Sequence, residues 1–295
     1  MVKYLLFLLT GLLFIRLPLR AQGNGPAGHG GRAQALGNAS ATLGGEVWAV
    51  ANNAAGLGSL TQPAAGAYFE NRYLIPSLNL AAVALALPLG VVEPAAGGLP
   101  ARAGRGVLGL EAQRFGGILY NETRVGAAYG YRLGVVSVGG RLDALQISFQ
   151  DLGSRRAVVA SLGGQADILP RQLTLGVYLY NLTQAKLADY QDERVPTVLR
   201  AGLAYRPGAQ VLLLAEVEKD VERDAGLKAG IEYGPTPAVA LRLGYASLSQ
   251  QSTAGVGLHA GDWQLDYAAG WHNVLGLSQY FSVGWQWGER EAIKN

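Results

Sequence analysis

Two-residue alternation constrains this chain more than any other feature. In FSVGWQW, Phe281, Val283, Trp285 and Trp287 fall on one side of an extended backbone, with Ser282, Gly284 and Gln286 on the other. Successive side chains of a strand point to opposite faces, so a strict period of two marks a β-strand whose faces meet different surroundings. The same pattern recurs in DWQLDYAAGW, where Trp263, Leu265, Tyr267, Ala269 and Trp271 oppose Gln264, Asp266, Ala268 and Gly270. In LRAGLAYR, LKAGIEY and VALRLGY, apolar faces ending at Tyr205, Tyr233 and Tyr245 oppose charge and glycine.

A water-soluble β-sandwich would stud its polar face with Lys, Glu and Thr and would rarely make it so rich in glycine. A transmembrane β-barrel inverts the arrangement: apolar residues face lipid, aromatic girdles mark the interfaces, and polar or small residues face the interior. The fold class expected is therefore all-β, a transmembrane antiparallel β-barrel. Alternating segments run from 64–71 to 278–288 and number about fourteen. An even count lets a single-chain barrel close with antiparallel neighbours. Tyr205, Tyr233, Tyr245, Trp263, Trp271, Trp285 and Trp287 are the expected membrane-interface aromatics.

Turn chemistry supports this reading. Short links at Leu133-Gly134, Leu169-Pro170, Arg206 to Ala209, Gly234 to Pro237 and Ala260-Gly261 alternate with longer ones, including Asn181 to Pro196 and His272 to Leu277. Periplasmic turns are the short ones in such barrels, which places both ends of the wall in the periplasm. Gly90 to Arg105, a Pro/Gly/Ala-rich stretch, falls at a turn position and reads as a flexible insertion.

The division expected is a signal peptide at 1–21, an N-terminal segment at 22–63, the barrel at 64–288 and a polar tail at 289–295. The signal rests on Lys3 followed by an apolar run from Tyr4 to Ile15, too short for an ordinary membrane-spanning helix. It places the chain in the outer membrane of a Gram-negative bacterium, with outer-membrane lipid as a partner. The formal charge of +3 equals the contribution of Lys3, Arg16 and Arg20, so the remainder is neutral and carries no footprint for nucleic acid. There is no cysteine, hence no disulfide framework and no lipid-modified N-terminal Cys.

Hairpin geometry predicts a lumenal charge row. Arg200 is expected opposite Glu216, Glu216 opposite Lys228, and Glu232 opposite Arg242. Opposite charges across a strand pair stabilise it by about 0.2–1 kcal/mol each. No catalytic constellation, cofactor motif or metal-ligand spacing is found: His29, His259 and His272 are scattered, and there is no nucleophile motif or phosphate loop. The chain reads as a non-enzyme.

About forty residues before the first strand do not alternate. In them Gly31-Arg32-Ala33, Leu36-Gly37-Asn38-Ala39, Trp48 and Asn52-Asn53-Ala54-Ala55-Gly56-Leu57 occur in an order that resembles the PorV/PorQ-like outer-membrane proteins of Bacteroidetes, related to the fatty-acid transporter FadL. In the wider family the last motif is commonly Asn-Pro-Ala-Gly-Leu, and here Ala54 stands in place of the proline. The resemblance implies a fourteen-stranded barrel with the N-terminal segment folded into the lumen as a hatch. It also implies association with type IX secretion components or secreted cargo, as an escort or in surface attachment. The alternative is a FadL-like channel for small hydrophobic molecules, for which the short outer loops leave little room for an apolar capture site. A scaffold with no transport role is a third reading, and the oligomeric state is left open.

Overall fold

The structure, a computed structural model, describes residues 25–26, 28–94, 101–188 and 193–288; the expected signal peptide and the tail 289–295 lie outside the described residues. Fourteen antiparallel strands form one closed barrel. They are β1 Ala64–Asn71, β2 Asn79–Pro88, β3 Val107–Gly116, β4 Tyr120–Leu133, β5 Val136–Phe149, β6 Gly153–Leu169, β7 Leu173–Tyr180, β8 Val198–Gly208, β9 Val211–Asp220, β10 Ala225–Thr236, β11 Val239–Ala246, β12 Gln251–Ala260, β13 Trp263–His272 and β14 Gly276–Gln286. Each pairs with its sequence neighbours, and β1 closes on β14 from Ala64 opposite Gln286 to Asn71 opposite Gln279. Closure leaves the wall no unpaired edge.

The two faces are inverted relative to a soluble protein. On β9, Glu216 is 3% exposed while its neighbour Val217 is 44% exposed. Phe281, Val283 and Trp285 point outward and Ser282 is buried, as the alternation requires. Of the outward aromatics, Tyr205, Tyr233, Trp263 and Trp285 sit near one end of the wall, where Trp263 stacks on Trp285 at 5.6 Å. Trp287, just past β14, packs on Trp285 at 4.5 Å. Tyr245 and Trp271 sit near the opposite end.

The first of these ends carries Ala64, Gln286 and tight links such as 134–135, 209–210, 237–238 and 261–262; we call it the turn end. At the other, the loop end, the connections 117–119, 150–152 and 273–275 are three residues each, one more than those links. The expected long loop at 272–277 is corrected to a three-residue turn. It is tight because the His272 Nδ1 accepts from the Val274 and Leu275 amides, both at 3.0 Å. The longest loop-end connection, 181–197, uses the part of the seventeen-residue β6 that β7 is too short to cover: the Leu182 amide donates to the Ala160 carbonyl at 2.9 Å. The insertion at 90–105 is not featureless in its described part. Val92–Glu93 pairs with Arg102–Ala103, and Arg102 donates to Glu93 at 2.9 Å and to the Arg132 carbonyl at 2.7 Å.

Within the N-terminal segment are two short helices, α1 Gly31–Ala35 and α2 Ala49–Asn52, and a 3-10 helix at Ala54–Ser59. The segment hydrogen-bonds inward side chains all round the wall. The Gly31 amide donates to Ser282 on β14, the Gly37 amide to Thr253 on β12 and the Ala41 amide to Glu216 on β9. Arg132 on β4 donates to Ser59, Arg141 on β5 to the Val50 carbonyl and Gln165 on β6 to the Ala41 and Leu43 carbonyls. One stretch of chain touches inner faces so widely spaced only by lying inside the barrel.

Candidate functional site

The interior glycines explain how that stretch fits. A methyl group at Gly139 on β5 would overlap the Ala54 carbonyl and the Ala55 amide, and one at Gly163 on β6 would overlap the Asn53 side chain. Inner-face glycines thus let the segment lie directly against the wall backbone, a close approach that any Cβ would prevent.

Both asparagines of the Asn52 to Leu57 motif are fully buried and used. Asn52 clamps His29 from both sides, accepting from its amide at 2.8 Å and donating to its carbonyl at 2.9 Å. Asn53 donates to the Ala41 carbonyl at 2.7 Å and to Val177 of β7 at 3.1 Å, while its carbonyl oxygen caps the 3-10 helix by accepting from the Ala55 amide. Ala54 occupies the first helical position, where a proline would also fit, and the Asn53 cap sets the turn instead. Ala55, Gly56 and Leu57 complete a fully enclosed turn against β3 to β6.

Three buried charge clusters tie wall to segment. In the first, Lys228 donates to Glu216 at 3.2 Å and to Glu218 at 2.6 Å. Arg200 corrects the predicted row: it lies opposite Glu218 and donates to it at 2.7 Å, with Glu216 opposite Gly202 and 3.9 Å from the guanidinium. The ladder of β8 and β9 shifts register between Tyr205 and Gly208, around Pro207, which has no N–H to donate. Arg200 also donates to the Pro26 carbonyl at 2.7 Å.

In the second cluster, Glu232 lies opposite Arg242 as the hairpin predicts, and the two are 2.6 Å apart. Arg32 of α1 grips the same carboxylate with two bonds, 2.9 and 2.8 Å, and reaches Glu46 at 3.3 Å. Arg242 continues to Asp266 at 2.5 Å. Burial pushes the Glu46 carboxyl up from the usual carboxylate range, with Arg32 pulling the other way.

The third cluster joins Glu111, Arg141 and Asp143 of β3 and β5 with His29. Arg141 is paired with both Glu111 and Asp143. The His29 Nδ1 stands 3.2 Å from Glu111 but out of line for a hydrogen bond, and burial lowers the imidazole's pKa against the pull of Glu111. Sequence reasoning missed this cluster, together with Arg32, Glu46 and Asp266. The alternation rule that found Arg200 and Arg242 marks Glu111, Arg141 and Asp143 equally well as inward charges.

The segment leaves a cavity of about 500 Å³ at the loop end, with Pro26, Gly28 and Gln34 on its floor and Arg72, Phe115, Arg124 and Tyr280 among its walls. Beside it, the inward residues Leu145, Ile147, Val159, Tyr178 and Tyr180 join Leu187 and Val195 of the long connection in an apolar cluster. Apolar and charged inward side chains therefore lie side by side at this end of the barrel.

No family model and no curated protein matches the chain. Among solved structures it is similar to the Pseudomonas putida toluene transporter TodX, at 12% identity and a TM-score of 0.60, over 90% of this chain and 98% of that one. A TodX deltaS2 mutant, described as a monoaromatic hydrocarbon channel, gives 11% identity and a TM-score of 0.61 over 88% and 97%. At such identities the likeness is one of fold, and the fold is that of an outer-membrane β-barrel.

Proposed function

We propose that this chain is an outer-membrane channel for small apolar molecules, with residues 22–63 as its hatch. The observation that carries the reading is the inward apolar cluster under the connection 181–197, because a barrel interior is ordinarily polar and water-filled or plugged. Exposed Ile118, Leu119 and Leu152 on the loop-end turns supply apolar surface leading to that mouth. The fold likeness to the TodX toluene transporter supports the same reading. Passage requires the segment to shift, and the described contacts that hold it are noncovalent. Uptake of toluene by cells of a porin-deficient host tests this. Expression of the chain should raise the rate, and a rate equal to that of the empty host, with the barrel folded in the outer membrane, would overturn the reading.

A second reading, a component of type IX secretion or of surface attachment, is favoured by the order of the N-terminal motifs and by the flat loop end with its apolar turn tips. Affinity purification from outer membranes separates the two: secreted cargo or partner barrels retained through detergent washes would favour the second.

A further inference from the structure

The loop-end cavity is lined by four cationic side chains, Arg72, Arg124, Arg200 and Lys228, and three carboxylates, Glu70, Glu122 and Glu218. Three of the cations are spoken for. Arg72 pairs with Glu70 at 2.5 Å, and Arg200 and Lys228 share Glu218 at 2.7 and 2.6 Å. Glu122 accepts from the Tyr120 hydroxyl at 2.5 Å.

Arg124 stands apart. It is only 4% exposed, yet among the described residues it has neither a carboxylate within ion-pair distance nor a hydrogen-bond acceptor, and its Nε is buried without a partner. Its guanidinium lies 5.4 Å from the Tyr180 ring, and the Tyr180 hydroxyl is likewise buried and unpartnered. Gln113, directly across the β3–β4 ladder from Arg124, has an unpaired buried amide oxygen, so its carboxamide is also uncommitted.

A buried guanidinium without a counter-charge is costly, because burial removes water without supplying a replacement. A planar fork of N–H donors matches the two oxygens of a carboxylate or phosphate, and a carboxamide N–H adds a third donor. We propose that Arg124 and Gln113, which both line the loop-end cavity, form a binding site for a small oxyanion there. Phe115 and Tyr120 offer flat surface beside it for the body of the molecule. The site is independent of the apolar-channel reading, since an anion can be held there whether or not anything passes the hatch.

The test is calorimetric titration of the full chain, in nanodiscs, with sodium benzoate, sodium phosphate and neutral toluene as probes. Benzoate or phosphate should bind, and R124Q should weaken that binding about tenfold or more, the scale of a lost charge-assisted hydrogen bond. The preferred anion tells an organic carboxylate from an inorganic source. R114Q removes the same charge from the outward face of β3 and should leave the affinity unchanged. Heat-modifiable gel mobility reports whether each variant folds. If R124Q does not, Gln113→Leu deletes only the carboxamide and should still weaken binding several-fold. No anion binding by the parent chain, or equal binding by both folded variants, would overturn the proposal.

Discussion

The two halves of the N-terminal segment rest on the same kind of glycine bed and differ in the polar contacts added to it. Around α1, Leu36 and Gly37 lie over Gly230 and Gly244 of β10 and β11, and charge and hydroxyl groups are added: Arg32 to Glu232, with Arg242 and Asp266 behind it, and Thr253 and Ser282 on the backbone. The 3-10 helix instead sits on β3 to β6, where backbone meets backbone over Gly130, Gly139 and Gly163, and where Arg141 and Arg132 reach across to Val50 and Ser59. Ion pairs and hydrogen bonds can be exchanged for water at modest cost, whereas a fitted steric contact has no aqueous substitute. Both halves carry fitted contacts, and the α1 half adds to them a dependence on the Glu232 carboxylate.

That contrast can be broken from either side. The largest effect is expected from Arg141→Leu, which strands Glu111 and Asp143 in the interior; losing one partner of such a cluster costs about 3–5 kcal/mol. Hydrogen exchange read by mass spectrometry should show residues 46–62 deprotected while 30–40 keep most of their protection. Equal loss in both halves would mean that the segment moves as one body.

Gly139→Val comes next. Forcing a branched side chain against Ala54 and Ala55 should cost about 1–3 kcal/mol and unseat the 3-10 half. Smaller still, Glu232→Gln removes the carboxylate that joins Arg32 to Arg242. It should loosen the α1 half by about 1–3 kcal/mol and leave exchange in residues 54–59 nearly unchanged.

The smallest expected effect is that of pH. Burial lowers the pKa of His29, so the unfolded chain binds a proton more readily than the packed segment does. The stability this neutral imidazole contributes is full above the ordinary histidine pKa of about 6.5 and falls as the pH drops below it. Protection of residues 28–35, taken relative to the intrinsic exchange rate at each pH, should fall between pH 7.5 and 5.5 by a few-fold at most, and His29→Asn should flatten the difference. A parent chain with no pH response would remove His29 from the account.

Legibility in the sequence followed locality. The alternation placed all fourteen strands because a strand's two faces are written into adjacent residues. It also sorted inward from outward, as at Glu216 and Val217. Register was harder. Glu216 opposite Lys228 and Glu232 opposite Arg242 follow from counting back from a turn, but Arg200 went to Glu218 because a bulge around Pro207 shifted the count. A two-residue shift of this kind keeps every side chain on its own face and so leaves no mark in a hydrophobic pattern. The length of the connection after His272 was likewise hidden, since it depends on an imidazole turning back onto two amides.

The sequence by itself determined that this chain builds a wall with an apolar outside, a polar and glycine-rich inside, and an even number of antiparallel strands, because those properties repeat every two residues. Only the tertiary structure decided what the inside is for. The inward glycines are a bed for the N-terminal backbone, and the inward charges, paired mostly with one another across the strands, also offer Glu232 to Arg32 and Glu111 to His29. Which groups meet across the lumen depends on how the closed barrel brings together residues as far apart as Gly31 and Ser282, and no local period records that distance.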